Sequence, residues 1–142
     1  MKVHLSRRYH FSASHRLHTE AYDSAKNQAV FGKCNNAHGH GHNYVVQVTL
    51  SGQVDPATGM VCNLAELDAY AQTNLIDRFD HTNLNTLDCF ANKVSTTENL
   101  SIEIYRIFQS FTAAHLERIH IEETSNNSFD YAGEATSTPG TI

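Results

Sequence analysis

The sequence predicts an α+β domain in which two pairs of antiparallel strands flank two helices, in the order ββααββ. Three observations support this: alternating apolar residues near both ends of the chain, helical apolar spacing between them, and turn-forming residues at the junctions. The chain has 142 residues, of which 40% are hydrophobic and 18% are charged. These values are typical of one globular core. We therefore predict a single domain at residues 1–134 and a flexible C-terminal tail at 135–142.

Charge and composition narrow the classes of function. The formal net charge of −5 argues against general nucleic-acid binding. No apolar run approaches the ~20 residues that span a membrane, and the N-terminus lacks a signal-peptide core, so we expect a cytoplasmic protein. Three widely spaced cysteines do not suggest a disulfide framework. Ten histidines stand out, because histidine is the commonest metal ligand.

The first two strands are predicted from apolar residues at every second position. In the segment 3–15, all but one of the odd positions are apolar until the row ends in His15. In the segment 40–54, the even positions form a similar row that begins with His40 and His42. This period is typical of a strand with one buried face.

Two amphipathic helices are predicted in the middle of the chain. Asn63 can cap a helix with an apolar face that extends to Phe79. Ser95 and Glu98 are spaced as the ends of a capping box, and they precede a second apolar stripe that reaches Phe111. Both helices are expected on one face of the sheet.

The remaining segments predict two further strands and one long loop. The strands are expected at residues 118–124 and 129–133, with a hairpin-type turn at Asn126-Asn127. Residues 17–39 are polar and irregular, which predicts a loop. A loop of this length in a small domain is often functional.

Three histidines are predicted to meet at one end of the sheet. His40 and His42 share a face of one strand, and antiparallel pairing would bring His15 beside them. Three imidazoles suit zinc and leave a fourth position open, as catalytic zinc sites do. Spacing alone also admits nickel, copper or iron. The alternatives are ordinary polar strand ends, or a ligand set that includes His38, which directly precedes the pair.

Four other side chains could carry chemistry near such a metal. Cys34 lies in a loop that can fold back over the site, and a dication would favour its reactive thiolate. Asp80 and His81 could form an acid–base pair, with a solvated loop as the alternative. Glu123 continues an apolar face of its strand, so it needs a partner such as two adjacent N–H donors, unless the strand end lies in solvent.

Several short segments, taken together, point to one enzyme family. They are Phe31-Gly32-Lys33-Cys34-Asn35-Asn36, His40-Gly41-His42-Asn43-Tyr44, Phe11-Ser12-Ala13-Ser14-His15-Arg16, Asp55-Pro56-Ala57-Thr58-Gly59-Met60-Val61, Asp80-His81, Asn83-Leu84, Ser95-Thr96-Thr97-Glu98-Asn99 and Glu123-Thr124. Over about residues 5–134, the chain resembles the 6-pyruvoyl-tetrahydropterin synthase family. That family also includes 6-carboxy-tetrahydropterin synthase.

The resemblance implies a fold, an assembly and a reaction. The fold is the tunnelling fold (T-fold), in which ββααββ subunits form a trimeric barrel, two trimers stack into a hexamer, and active sites lie between subunits. The implied enzyme is a lyase of tetrahydrobiopterin biosynthesis. It converts 7,8-dihydroneopterin triphosphate to 6-pyruvoyl-tetrahydropterin and triphosphate, with catalytic Zn²⁺ and with Mg²⁺ on the triphosphate.

The resemblance also implies roles for individual residues. The implied zinc ligands are His15, His40 and His42. The implied catalytic residues are the proton-abstracting base Cys34 and the acid–base pair Asp80 and His81. The implied pterin-binding residues are Glu123, Thr96, Thr97 and Glu98. The basic candidates for binding the triphosphate are Arg7, Arg8, Arg16 and Lys33, and the sequence does not choose among them.

Two alternatives concern the reaction. The carboxy-forming branch of the deazapurine (queuosine) pathway uses the same substrate but usually has three residues between the cysteine and the His-Gly-His motif. Here five residues, 35–39, separate them, which favours the pyruvoyl product. The other alternative is a non-catalytic paralogue that binds zinc and pterin. It is disfavoured because the reactive residues implied above are all present.

Overall fold

A five-stranded sheet with the order β3-β1-β2-β4-β5 organises this computed structural model, which describes residues 1–134. The strands are β1 (Lys2–His15), β2 (His40–Gln53), β3 (Thr82–Asn83), β4 (His115–Thr124) and β5 (Asn127–Tyr131). The helices are α1 (Ser24–Phe31), α2 (Leu64–Ala71), α3 (Asp77–Phe79) and α4 (Thr97–Gln109). All neighbouring strands are antiparallel except β1 and β3, which pair in parallel. The predicted α+β class is confirmed.

The core lies between one face of the sheet and the helices α2, α3 and α4. The alternation predicted for the first two strands is confirmed. The inward residues of β2 are buried from Tyr44 to Leu50, and those of β1 become fully buried from Phe11 onwards. The largest fully buried residues are Tyr44, Phe79, Phe108, Leu50, Leu67, Leu75, Leu84, Leu100, Ile104, Ile119 and Ile121, together with His15. The domain therefore consists of two packed layers, one of helices and one of strands.

Apart from His15 at its end, the one polar residue in the inward row of β1 is Arg7, and it is paired. Its Nε and Nη2 atoms donate to the two carboxylate oxygens of Asp68 on α2 at 3.0 and 2.7 Å. The Tyr9 hydroxyl donates to the same carboxylate at 2.8 Å. Hydrogen bonds from Arg7 and Tyr9 hold the pKa of Asp68 below its usual value. This bidentate contact ties β1 to α2.

The first predicted helix is confirmed from its cap onwards. The Asn63 side chain accepts from the backbone N–H groups of Ala65 and Glu66. Between α2 and α3 the chain stays helical through a π-helical turn at Gln72–Ile76, so helical structure reaches Phe79 as expected.

The capping-box prediction for α4 is wrong by one residue. Thr96, rather than Ser95, is the N-cap, and its hydroxyl accepts from the N–H of Asn99 at 3.2 Å. The first helical hydrogen bond runs from the N–H of Leu100 to the carbonyl of Thr96, whereas the Ser95 carbonyl accepts from His15.

Two elements were absent from the sequence prediction. The segment predicted as an irregular loop contains α1, which Asp23 caps by accepting from the N–H of Lys26. Asn27 is its single buried residue, so it shows no apolar periodicity. The short strand β3 pairs with β1 at Ala13 and Ser14.

The C-terminal hairpin is confirmed with shifted bounds. Strand β4 begins three residues earlier than expected, and β5 covers Asn127–Tyr131, with the turn at Ser125-Asn126. The division into a domain and a tail stays a prediction, since residues 135–142 lie outside the described residues. Among residues 1–134, no helix combines the length and apolar character that crossing a membrane requires.

Candidate functional site

The register between β1 and β2 brings three histidines together at one end of the sheet. His15 pairs with His40, and Ala13 pairs with His42. The Nε2 atoms of His15 and His40 are 3.1 Å apart, and one ring nitrogen from each of the three residues lies within 4.8 Å of the others. No other group of three or more potential ligands in residues 1–134 is so arranged. The juxtaposition expected from the spacing is therefore present.

His15 is held by the residue that precedes the cap of α4. Its Nδ1–H donates to the carbonyl oxygen of Ser95 at 2.7 Å, which leaves the Nε2 lone pair facing the other histidines. Burial lowers the pKa of His15, and nearby His40 and His42 lower it further. Burial also lowers the pKa of His42. Both rings therefore favour the neutral form that binds metals.

Unpaired polar atoms concentrate around this group. In the described part of the chain, the buried side-chain atoms without a hydrogen-bond partner are His40 Nδ1, His42 Nε2, Tyr44 Oη and Ser95 Oγ. Each such atom costs about 1–3 kcal/mol if nothing pairs with it. Their grouping indicates that the site is built to contact something besides the protein.

The separation of the His15 and His40 nitrogens suits two ligands of one tetrahedral metal ion. Two imidazole ligands on zinc at about 2.0–2.1 Å stand about 3.3 Å apart, close to the separation of the His15 and His40 nitrogens. His38, the alternative ligand considered from the sequence, has an exposed side chain and lies outside the group.

Glu123 has the partners that its position on an apolar face requires. The hydroxyl of Thr97 donates to one carboxylate oxygen, and Asn127 Nδ2 donates to the other at 3.0 Å. Burial alone would raise the pKa of Glu123, but these hydrogen bonds and the nearby histidines His42 and His15 outweigh burial, so the pKa is lowered. An ionised acceptor thus lies beside the histidine group.

The three residues expected near Glu123 have different surroundings. Thr97 contacts Glu123 directly. The hydroxyl of Thr96 is occupied as the cap of α4, and the side chain of Glu98 is exposed. The structure therefore joins Thr97, but neither of its neighbours, to the carboxylate by a hydrogen bond.

Cys34 lies in a 3₁₀ turn at Gly32–Asn35 that folds back toward the end of β1. Its carbonyl oxygen accepts from the N–H of Leu17 at 2.7 Å, two residues beyond His15. Partial burial, and then the negative charge of Glu123, raise the pKa of the thiol. The protein by itself therefore favours the protonated thiol, and ionisation near neutral pH calls for a neighbouring cation.

Asp80 and His81 form a pair, although sequence neighbours often point apart. Asp80 Oδ2 lies 2.9 Å from His81 Nδ1, and Asp80 Oδ1 accepts from the N–H of Ser12 at 2.8 Å. The Ser12 hydrogen bond, and then the contact with His81, lower the pKa of Asp80. His81 has a left-handed backbone, with φ of 57°, and its side chain is 84% exposed. No hydrogen bond or ion pair in residues 1–134 joins the pair to Cys34 or to the three histidines.

Sequence reasoning missed two residues of the site. The ring of Tyr44 lies edge-on beneath His42 and His15, with centroid distances of 5.6 and 6.5 Å. Burial, and then Glu123, raise the pKa of Tyr44, so its phenol stays protonated. The position of Tyr44 on the inward row of β2, two residues after His42, was the sequence signal that could have identified it. Ser95 acts through its backbone carbonyl, which no side-chain pattern reveals.

Comparison with known proteins finds relatives over nearly the whole chain. The family model described as 6-pyruvoyl tetrahydropterin synthase matches residues 4–134. A human protein named 6-pyruvoyl tetrahydrobiopterin synthase is 45% identical over 135 residues, which cover 94% of this chain and 93% of the human protein. A Drosophila melanogaster protein of the same name is 46% identical over 132 residues, which cover 91% of this chain and 79% of that protein.

A solved structure supports the same relationship. The Caenorhabditis elegans 6-pyruvoyl tetrahydropterin synthase superposes with a TM-score of 0.90 at 44% sequence identity. The match covers 94% of this chain and 97% of the C. elegans chain. Fold and sequence thus agree over nearly the whole of both chains, and the chain belongs to the 6-pyruvoyl tetrahydropterin synthase family.

Proposed function

We propose that this chain is a zinc-dependent lyase of tetrahydrobiopterin-type biosynthesis. It converts 7,8-dihydroneopterin triphosphate to 6-pyruvoyl-tetrahydropterin with release of triphosphate. The names of the relatives support the activity. The observation that carries the proposal is the convergence of His15, His40 and His42 beside the ionised Glu123.

The histidine group would hold the zinc ion. Three neutral imidazoles leave one coordination position open, and the Ser95 carbonyl orients the first of them. When bound, zinc polarises substrate side-chain oxygens and acidifies the adjacent C–H and O–H bonds. Magnesium would accompany the triphosphate of the substrate rather than occupy this group.

Glu123 would bind the pterin ring. The ring presents an amino group and a ring N–H as two adjacent donors, and a carboxylate can accept both. Each carboxylate oxygen of Glu123 already accepts one hydrogen bond and has a second lone pair for the ligand. Thr97 and Asn127 would keep the carboxylate aligned with the ring.

Cys34 would act as the base that removes a carbon-bound proton. The electron pair released from the C–H bond then expels the triphosphate as its C–O bond breaks. The thiol starts from a raised pKa, so its activity depends on the positive charge that the histidine group would hold nearby. His81, supported by Asp80, would move protons during the tautomerisation that follows.

The pair of Asp80 and His81 is proposed to serve the site of a second copy within a hexamer of two trimers. Its imidazole is exposed and is not connected to the histidine group of its own chain. Strand β1 also has an open edge, since β3 pairs with it only at Ala13 and Ser14. Open sheet edges are ready sites for pairing with another chain.

The assembly predicts six copies per particle. Sedimentation equilibrium at micromolar protein should give about six times the 15.8 kDa chain mass. A wholly monomeric protein with full turnover would contradict the shared site.

The reaction predicts a defined product. Zinc-loaded protein incubated with 7,8-dihydroneopterin triphosphate and Mg²⁺ should release one triphosphate per substrate and yield 6-pyruvoyl-tetrahydropterin by mass spectrometry. A carboxy product with acetaldehyde would instead place the chain in the 6-carboxy-tetrahydropterin branch. No triphosphate release from metal-loaded protein would indicate the non-catalytic paralogue.

The ligand assignment predicts which histidine substitution removes zinc. His42→Ala should lower zinc content from about one ion per chain to near zero after dialysis, because two imidazoles remain. His38→Ala is the matched control, since it deletes a nearby exposed imidazole. Its zinc content, measured by atomic emission, should match the unsubstituted protein. Equal zinc in both variants would refute the assignment.

The proposed role of Cys34 predicts that its substitution lowers turnover without changing the zinc content. Cys34→Ala should lower kcat by about 10²–10⁴-fold, the usual contribution of a positioned base, while zinc stays at one ion per chain. Cys62→Ala, which removes another half-buried thiol, should change kcat little. Loss of zinc from the Cys34 variant would mean that the thiol is itself a ligand.

A further inference from the structure

A polar cavity of about 640 Å³ opens next to the chain segments that form the histidine group. Two of its wall residues adjoin that group in sequence, since Arg16 follows His15 and Gly39 precedes His40. A third, Val94, precedes Ser95, whose carbonyl accepts from His15. None of the roles proposed above uses this cavity.

The cavity wall carries positive charge and amide donors. Arg16, Lys93, Asn83, Asn85 and Asn92 all line it. Lys93 pairs with Glu103, which also accepts from Arg106 at 2.8 Å, so that cluster keeps a net positive charge. The one carboxylate in the wall belongs to Glu20, whose side chain is 97% exposed and lies 3.2 Å from His18.

Arg16 is fixed in place while its charge stays uncompensated. Its backbone N–H donates to Asn85 Oδ1 at 2.7 Å, and its carbonyl accepts from Asn85 Nδ2 at 2.9 Å. Its Nε donates to the carbonyl oxygen of Asn35 at 3.0 Å. No carboxylate within residues 1–134 lies at ion-pair distance from its guanidinium, so both Nη groups can donate to a ligand.

The other basic candidates are placed differently. Arg7 is committed to Asp68 by two hydrogen bonds. Arg8 donates to Gln47 at 3.0 Å and has Glu122 at 3.9 Å, on the face of the sheet opposite the core. Lys33 is exposed and does not line the cavity.

We propose that this cavity binds the phosphate end of the substrate and that the guanidinium of Arg16 is its principal contact. The inference rests on the proposed function for the identity of the anion. A planar guanidinium with two free Nη groups suits phosphate oxygens, and the surrounding amides can donate to the rest of the chain of phosphates. The adjoining histidine group would then act on the other end of the same molecule.

The test is binding of inorganic triphosphate to the zinc-loaded protein, measured by isothermal titration calorimetry. Arg16→Gln should weaken binding by about tenfold or more, because a charge-assisted contact is lost. Asn92→Asp, an isosteric change of an exposed wall residue, should also weaken binding by placing negative charge in the cavity. Arg118→Gln is the control, since it removes one exposed positive charge outside the cavity. Its affinity should stay within twofold of the unsubstituted protein.

The kinetic counterpart is a raised KM for the pterin triphosphate in Arg16→Gln, with zinc content unchanged. Equal weakening by Arg118→Gln would mean a general effect of net charge and would overturn the proposal. Unchanged affinity in Arg16→Gln and Asn92→Asp would also overturn it. If Arg16→Gln fails to fold by circular dichroism, the affinity of Asn92→Asp decides.

The outcomes distinguish a failure of the cavity proposal from a failure of the proposed reaction. Tight triphosphate binding that depends on Arg16, in a protein without turnover, would support the proposed role of the cavity and contradict the proposed reaction. Full turnover with triphosphate affinity insensitive to both cavity substitutions would contradict only the cavity.

Discussion

The antiparallel register between β1 and β2 is the constraint on which the rest of the site depends. Fourteen residue pairs join the two strands, from Lys2 opposite Gln53 to His15 opposite His40. Because strand side chains alternate between faces, a shift of one residue would move His40 and His42 away from His15 and would also expose the apolar row of β2. The packing of the core and the geometry of the histidine group therefore select the same register.

The start of α4 links this register to the rest of the site. Three consecutive residues act in three ways: the Ser95 carbonyl accepts from His15, Thr96 caps the helix, and Thr97 donates to Glu123. Burial of the apolar face of α4 thus positions one group against His15 and another against Glu123 at the same time. A displacement of this helix end would disturb both.

Much of this arrangement was predictable from side-chain periodicity. Period-two rows gave β1, β2 and the convergence of His15, His40 and His42, and helical spacing gave the helices that cover the core. Periodicity failed for α1, which buries only Asn27, and for Ser95, which acts through its backbone. Periodicity also could not show which arginine has a guanidinium without a carboxylate partner, because the residues that contact Arg7 and Arg16 come from segments distant in sequence.

The Cys34 thiol and the ring nitrogens of the histidine group lie on separate parts of the architecture. His40 and His42 belong to a long strand ladder, whereas Cys34 lies in a short turn that a few hydrogen bonds hold near Leu17. An insertion or deletion among residues 35–39 would therefore move the thiol without moving the histidines. The fold in this way allows the position of the thiol to change with the length of this segment, while the strand ladder that carries the histidines stays the same.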